Sequence, residues 1–256
     1  MTDRPARVNL NPPPADPPLL RFDAVSVRRA GRLVLDAVDL QLGAAQTIAV
    51  LGLNGAGKST LLALAAGVHA PHLGEVRVAG QRAGSAAAPA IGWLPDPVPL
   101  YPELSVREQI AAAAALQGLV GAARQRAVAR AIERLDLGAL SKRLCGQLSR
   151  GMRQRVGVAQ AICHDPKLLL LDEPCAGLDP LQQQHLLQLL HALKAEMGIV
   201  HVTHLFADID RHVDRVLILN RGRIALDAPR AELGDISGIS AAFMRHGLAL
   251  EPEAAA

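Results

Sequence analysis

The chain has 256 residues, of which 50% are hydrophobic and 20% are charged, a composition typical of one large globular domain or of a domain with a subdomain. Aromatic residues make up only 2% of the chain, which argues against a nucleic-acid surface of stacked aromatic side chains, and the net charge of +3 does not demand a polyanionic partner. The three cysteines include no CxxC pair, and no apolar run reaches the ~18 residues of a membrane helix, so we expect a protein of a reducing cytoplasm.

The first third of the chain predicts a tail, a hairpin and a buried strand that leads into a helix. Residues 1–18 contain six prolines and little apolar surface, so we expect a disordered tail. Two apolar, β-branched segments within residues 20–41 flank the turn RRAGR, which is typical of a hairpin. The run TIAVLG (47–52) predicts a buried strand, GKSTLLALAAG (57–67) has helical spacing, and GEVRVAG alternates like another strand.

The rest of the chain alternates strands and helices around a helical block. Residues 105–163 have almost entirely helical spacing. Strands are then predicted for KLLLLDEP (167–174), GIVHVTH (198–204) and RVLILN (215–220), with a helix over residues 181–197. Such alternation predicts a parallel sheet covered by helices, into which the helical block is inserted.

The segment GLNGAGKST (52–60), which we call the phosphate loop, carries the strongest chemical signal. It fits the pattern G-x-x-x-x-G-K-[ST] and lies between a predicted strand and a predicted helix, the context that a phosphate-binding loop requires. The glycines allow backbone N–H groups to surround phosphate oxygens, and the N-terminus of the helix favours an anion. We expect Lys58 to reach the β- and γ-phosphates of a nucleotide and Ser59 to bind Mg²⁺.

The strand LLLLDEP (168–174) ends in two acids that suit the same chemistry. Asp172 is placed for a direct or water-mediated contact with Mg²⁺, and Glu173 for polarising a water that attacks the γ-phosphate. Adjacent strand residues point to opposite faces, but the chain turns at the end of a strand, so both acids can face the nucleotide. Together with the phosphate loop, they predict a P-loop nucleoside triphosphatase.

The turn LSRGM (148–152) indicates the class of triphosphatase. It resembles the signature turn L-S-G-G-Q of the ATP-binding cassette (ABC) transporter ATPases. The order of elements also matches that family over about residues 20–230: phosphate loop, helical block, signature, acidic strand, AGLD (176–179) and a histidine after a strand. The stretches PVPLYPELSV and GMRQRV further resemble the branch of that family that includes drug-export, gliding-motility and copper-site-maturation subunits.

The resemblance implies a fold and a set of boundaries. We expect an α/β fold, a P-loop nucleoside triphosphatase with an ABC-type mixed-sheet core, an N-terminal antiparallel β subdomain and an inserted helical subdomain over about residues 97–165. The ATPase domain would span residues 19–235, and residues 236–256 would form a C-terminal helix and a mobile tail.

Roles for individual residues also follow from the resemblance. Glu173 would be the catalytic carboxylate, and His204 would be the switch histidine that contacts the γ-phosphate. Asp179 would lie at the seam of a head-to-tail dimer, in which Ser149 and Gly151 of one domain close over ATP held by the other. ATP and Mg²⁺ would be held by Gly52, Asn54, Gly55, Gly57, Lys58, Ser59 and Thr60, with Asp96 and Asp172 beside the metal.

Four positions depart from the family pattern. Asp96 stands where a glutamine is usual, and we interpret it as a mark of the branch, since a carboxylate also suits Mg²⁺. Arg28 or Arg29 occupies the place of an aromatic residue that stacks on adenine, and either a stacking arginine or a solvated turn arginine fits. Arg150 replaces a glycine, and we expect its side chain to point away from the nucleotide. Cys175 replaces a threonine, with no expected catalytic loss. A zinc site on His201 and His204 is set aside because further ligands at zinc spacing are lacking.

The predicted function is that of an ATP-binding and ATP-hydrolysing subunit of an ABC transporter, specifically an exporter. Such a subunit would form a homodimer or a pair with a similar domain. It would drive a separate transmembrane permease from the cytoplasmic face of the membrane, with no nucleic-acid partner. The alternative is a soluble ABC ATPase acting on ribosomes or nucleic acid. A different P-loop enzyme, such as a nucleotide kinase, would leave LSRGMRQ and AGLD unexplained.

Overall fold

The computed structural model describes residues 8–9, 17–84, 86–209 and 213–248. Its strands are β1 Val8–Asn9, β2 Leu20–Arg29, β3 Arg32–Leu42, β4 Thr47–Leu51, β5 Leu73–Val78, β6 Gln81–Arg82, β7 Ile91–Leu94, β8 Leu168–Asp172, β9 Gly198–Thr203, β10 Arg215–Asn220 and β11 Arg223–Pro229. Its α-helices are α1 Lys58–Ala65, α2 Val106–Leu116, α3 Gly121–Arg134, α4 Arg150–Ile162, α5 Pro180–Leu193 and α6 Ile236–His246.

The larger sheet has the strand order β1-β11-β10-β4-β9-β8-β7. The strands β10, β4, β9, β8 and β7 are parallel to one another, whereas β11 is antiparallel to β10. Every residue of β4, β8 and β9 is buried, which is why these strands are continuous apolar runs rather than alternating ones. Because the central strands are parallel, the loops that follow β4, β7, β8 and β9 emerge at one edge of the sheet.

The second sheet, with the order β3-β2-β5-β6, is antiparallel and is built from the predicted hairpin and the strand after α1. One apolar cluster joins this sheet to α1 and to one face of the central sheet, through side chains such as Phe22, Leu61 and Val202. The opposite face, which includes Leu171, packs against α4 and α5. Each fully buried leucine in such a layer stabilises the fold by roughly 1.5–3 kcal/mol.

The helical block consists of α2, α3 and α4, which pack on one another through residues such as Ile110, Val128 and Val156. Ser105 begins α2 with a reciprocal cap, since its hydroxyl accepts from the backbone N–H of Glu108 and its own N–H donates to the Glu108 carboxylate. The mixed central sheet, the antiparallel N-terminal sheet and the inserted helices confirm the predicted fold class. Within the described part of the chain, none of the helices combines the length and the apolar character that a membrane crossing needs.

The predicted tails fall mainly outside the described residues. Of the proline-rich segment 1–18, Val8–Asn9 form β1, which pairs in parallel with β11, and residues 17–18 lie before β2 without regular structure. Residues 1–7 and 10–16 lie outside the described ranges, as do residues 249–256 of the predicted C-terminal tail.

Candidate nucleotide site

The phosphate loop makes a tight turn between β4 and α1. Two of its glycines lie so close to other residues that a side chain would not fit there. A Cβ atom on Gly52 would lie 2.6 Å from the carbonyl oxygen of Leu219. Gly57 has a φ of 107°, and a Cβ atom there would lie 2.7 Å from Cδ2 of Leu35. These contacts place the loop against β10 and β3, so that the backbone direction at the start of α1 is fixed by two other strands.

The N-terminus of α1 has the features that favour an anion. Its cap is Gly57, which has no side chain, and the first intrahelical bond joins the N–H of Leu61 to the oxygen of Gly57. The helix therefore supplies no side-chain acceptor for the N–H groups of its first turn, which point towards the loop together with the positive end of the helix dipole. Asn54 and Gly55 are exposed, and a Cβ on Gly55 would meet open space.

Lys58 lies inside the phosphate loop. Its Nζ atom donates to the backbone oxygens of Gly52, at 2.8 Å, and Leu53, at 3.2 Å. Burial lowers the pKa of Lys58, while the carboxylates of Glu173 and Asp172 act in the opposite direction. An ammonium has three protons, so one remains for a phosphate oxygen after both loop carbonyls are bound.

Asp172 and Ser59 form the polar pair that best suits a hard cation. Ser59, at the start of α1, lies close enough to the Asp172 carboxylate, at the end of β8, for its hydroxyl to oppose the effect of burial on the pKa of that carboxyl. Burial raises the pKa of Asp172 more than the Ser59 hydroxyl lowers it, and the nearby charges of Glu173 and Asp96 raise it further. A divalent cation next to these oxygens would reverse the cost of burying the carboxylate.

The donor set fits Mg²⁺ held jointly with a nucleotide. Mg²⁺ prefers oxygen ligands and takes only one or two from protein, with substrate phosphates and water completing its shell. Ser59 and Asp172 supply those oxygens, and the described residues contain no cluster of three histidine, cysteine, aspartate or glutamate side chains that would hold a metal alone. When bound, Mg²⁺ would neutralise charge on the β- and γ-phosphates.

Glu173 follows Asp172 in a strained conformation. Its φ is 49°, in the left-handed region that a glutamate rarely adopts, while its N–H still donates to the oxygen of Val202 on β9. This turn ends β8 and separates the direction of Glu173 from that of Asp172, as expected at the end of a strand. The Oε2 atom of Glu173 lies 2.8 Å from Nδ1 of His204, so the ends of β8 and β9 meet through these two side chains.

The signature turn caps α4 and packs on the start of α5. The Ser149 hydroxyl accepts from the N–H of Met152 at 3.3 Å and so caps the N-terminus of α4. Gly151 is buried against α5, and a Cβ there would lie 2.2 Å from Oε1 of Gln182. The guanidinium group of Arg150 lies against Gly177 of the AGLD segment, a contact that sequence reasoning did not find.

Asp179 is exposed and begins α5. Its Oδ1 atom accepts from the N–H groups of Leu181 and Gln182, at 3.0 and 2.9 Å. The structure therefore gives Asp179 a helix-capping role in its own chain. One of the two residues that it caps, Gln182, fills the space beside Gly151.

The remaining predicted residues lie at the margins. Asp96 is exposed just after β7, at the edge where the phosphate loop also lies, and Thr60 is buried in the first turn of α1. Arg28 and Arg29 are exposed at the end of the hairpin, where the Arg28 guanidinium donates to the oxygen of Gly31.

Sequence reasoning missed one polar group beneath the site. Asp208 lies in a short 3₁₀ turn after β9, is 1% exposed, and bonds the hydroxyl of Thr203 and the amide of Gln183. His201, considered above only as a metal ligand, has its Nε2 atom 3.7 Å from Asp208. The sequence signal that could have indicated Asp208 was an acidic residue four positions after His204.

Comparison with known proteins gives a family match and similar chains. The family model described as ABC transporter matches residues 35–176. The chain is 33% identical over 207 residues to the probable multidrug ABC transporter ATP-binding protein YbhF of Escherichia coli, covering 79% of this chain and 36% of that protein. It thus spans about a third of that relative's length.

Two further matches cover most of this chain and most of the matched protein. The taurine import ATP-binding protein TauB of Sinorhizobium fredii is 34% identical over 212 residues, which are 81% of this chain and 79% of that protein. A solved structure of an ATP-binding subunit of an ABC transporter is 29% identical, has a TM-score of 0.75, and covers 90% of this chain and 95% of its own.

Proposed function

Since this chain belongs to the ABC transporter family, we propose that it is an ATP-binding domain that hydrolyses ATP at the site formed by the phosphate loop, Asp172, Glu173 and His204. The observation that carries the proposal is the meeting of these groups at one edge of the central sheet. Ser59, in the phosphate loop after β4, lies near Asp172 at the end of β8, and the Glu173–His204 contact joins β8 to β9.

Each side chain has a distinct task in the proposed reaction. The N–H groups of the phosphate loop and Lys58 bind the β- and γ-phosphates, and Ser59 and Asp172 hold Mg²⁺ beside them. Glu173 accepts a proton from the attacking water as the water oxygen bonds to the γ-phosphorus. The bond between that phosphorus and the oxygen that bridges it to the β-phosphate breaks, which gives ADP and phosphate. His204 contacts the transferring group and orients the Glu173 carboxylate.

The test of hydrolysis is the variant Glu173→Gln, which keeps the volume and removes the base. Purified protein should release phosphate from ATP, and the variant should lose about 100-fold or more of kcat while retaining ATP binding. Glu75→Gln is the matched control, because Glu75 forms only surface ion pairs with Arg77 and Arg82 on the second sheet. Wild-type protein without ATPase activity, or an active Glu173→Gln variant, would refute the assignment.

The proposal extends to a head-to-tail dimer. In it, Ser149 and Gly151 of one protomer close over ATP bound at Lys58 of the other, with Asp179 at the seam. The exposed position of Ser149 and the free face of the phosphate loop at Asn54 and Gly55 support this arrangement. With ATP, the Glu173→Gln variant should elute as a dimer in size-exclusion chromatography, and Ser149→Arg should return it to a monomer.

The partner and the direction of transport belong to the same proposal. We infer a separate transmembrane permease on the cytoplasmic face, and export as the direction, because of the resemblance of PVPLYPELSV and GMRQRV to export subunits and the multidrug name of one relative. The import name of another relative makes direction a matter for transport assays in membrane vesicles with the permease. The alternative role on ribosomes or nucleic acid is not favoured by relatives named as transporter subunits.

Asp96 is proposed to join the Mg²⁺ shell and to couple hydrolysis to the permease. Its charge already acts on Asp172, whose pKa is raised first by burial and then by the neighbouring carboxylates. Asp96→Ala should lower permease-stimulated hydrolysis far more than ATP affinity. Unchanged stimulated hydrolysis would rule this role out.

A further inference from the structure

A buried polar cluster lies directly beneath the Glu173–His204 pair. Its centre is the carboxylate of Asp208, which accepts from Oγ1 of Thr203 at 2.5 Å and from Nε2 of Gln183 at 2.6 Å. The buried thiol of Cys175 lies near the same carboxylate, whose charge adds to burial in raising the pKa of the thiol. The Nε2 atom of His201, which is 3% exposed, lies 3.7 Å from Asp208, too far for a hydrogen bond.

Asp208 has two hydrogen-bonded neighbours, Thr203 and Gln183, and a third neighbour, Cys175; each lies next to a part of the proposed site. Thr203 directly precedes His204, and its hydroxyl also accepts from the N–H of Leu205 on the far side of that histidine. Cys175 is two residues after Glu173. Gln183 is in the first turn of α5, where its N–H donates to the oxygen of Asp179.

The electrostatics of the cluster favour an ionised Asp208. Burial alone would raise its pKa, but His201 and the hydrogen bonds from Thr203 and Gln183 outweigh burial and lower it. An ionised carboxylate can only accept, and it faces a hydroxyl, an amide N–H and a thiol, all of which can donate. The Asp208 carboxylate is therefore matched to the donors of Thr203 and Gln183, whereas the buried Nε2 atom of His201 makes no hydrogen bond to the described residues. The two bonds form a rigid connection between the end of β9 and α5.

We propose that Asp208 is a positioning residue for ATP hydrolysis, which holds the end of β9 that carries His204, the turn after Glu173 and the first turn of α5 in one fixed arrangement. The inference rests on the proposed function, because it assigns Asp208 an effect through Glu173 and His204. It also links the γ-phosphate contact to Asp179, so that a shift at either position is transmitted to the other through one carboxylate.

The experiment uses two substitutions that keep side-chain volume. In Asp208→Asn, the carboxamide must turn an N–H towards at least one of the donors that now face an acceptor. In Thr203→Val, only the hydroxyl is lost. We expect kcat to fall at least tenfold in Asp208→Asn and by a smaller factor in Thr203→Val, with KM for ATP within threefold of wild type. The double variant should be no slower than Asp208→Asn, since both remove the same bond.

The matched control is Asp227→Asn. Asp227 is also 1% exposed and also bonds buried donors, through Nε and Nη2 of Arg215. Arg215 pairs with Ile48 near the start of β4, at the opposite end of that strand from the phosphate loop. We expect this variant to lower the thermal unfolding midpoint without lowering the kcat of the folded protein.

Three outcomes separate the possibilities. A tenfold or greater loss of kcat in Asp208→Asn that Asp227→Asn does not share supports positioning. A kcat within twofold of wild type in both Asp208→Asn and Thr203→Val overturns it, as does an equal loss of kcat in the control. Suppose that wild-type protein hydrolyses ATP and that Glu173→Gln abolishes this activity. An unchanged kcat in the Asp208 variant then rejects this inference alone and leaves the proposed function intact.

Discussion

The Nδ1 atom of His204 lies 2.8 Å from Oε2 of Glu173, and this contact is made between an exposed histidine, at 52%, and a carboxylate that is only 14% exposed. The histidine thus covers the solvent side of the carboxylate that we propose as the base. Because Glu173 also has a strained backbone, its direction depends on such partners.

His204→Ala should therefore lower kcat about 100-fold, the typical cost of removing one group that stabilises transferring charge. ATP affinity should change little, because the phosphate loop is untouched. Steady-state phosphate release and equilibrium nucleotide binding measure the two quantities. His185→Ala, which removes a partly exposed histidine from α5, serves as the control. A His204→Ala variant with full kcat would show that Glu173 is held by other contacts.

A second prediction concerns the cost of burying Asp172 in the protein without ligand. Burial raises the pKa of this carboxyl above its ordinary value of 3.8. Just above that value the folded state binds more protons than the unfolded state, so the free energy of unfolding falls as the pH rises through this window. Above this pH window the full free-energy cost of burying the ionised carboxylate is present, and below pH 3.8 that cost vanishes.

Asp172→Asn should therefore be more stable than wild type at pH 7 in the absence of Mg²⁺ and ATP, and the difference should shrink as the pH falls towards 4. Hydrolysis with Mg²⁺ and ATP should decrease in the same variant. Urea unfolding at a series of pH values measures the first effect, and Asp23→Asn, at a partly exposed position, should show none of it. A destabilised Asp172→Asn variant at pH 7 would contradict the prediction.

The parts of this site that the sequence predicts are those encoded by local patterns. The glycines of the phosphate loop, the capping Ser149 and the acids after β8 lie in short segments whose spacing alone restricts their geometry. The elements and their order follow from apolar runs such as β4, because a strand buried on both faces has no polar positions.

The parts that could not be predicted depend on contacts between distant segments. Asp208 becomes part of the site only because β9 and α5 pack together, which brings Gln183 to its carboxylate across 25 positions of sequence. Gly57 is required because Leu35 of β3 packs over it, and no local pattern records that contact. Arg150, expected to point away from the nucleotide, lies on Gly177, which its own segment does not indicate.

The Arg150–Gly177 contact gives the last prediction. Gly177 has a φ of +69°, and a Cβ there would lie 2.9 Å from Cζ and Nη1 of Arg150. Gly177→Ala should destabilise the fold by about 1–2 kcal/mol, because an alanine is strained in the left-handed region. It should also displace Arg150 and the AGLD segment that leads to Asp179. ATP-dependent dimerisation and hydrolysis should therefore fall by more than the loss of unfolding free energy alone would cause.

Gly80→Ala is the control for backbone strain without a steric conflict, since Gly80 has a φ of +78° but a Cβ there would contact nothing within 4 Å. Both variants should lose similar unfolding free energy, and only Gly177→Ala should lose hydrolysis. Adding Arg150→Ala to Gly177→Ala removes the steric conflict and leaves the backbone strain. The double variant should thus regain part of its hydrolysis and none of its stability. Equal loss of hydrolysis in the two alanine variants would mean that the position of Arg150 does not matter for the seam.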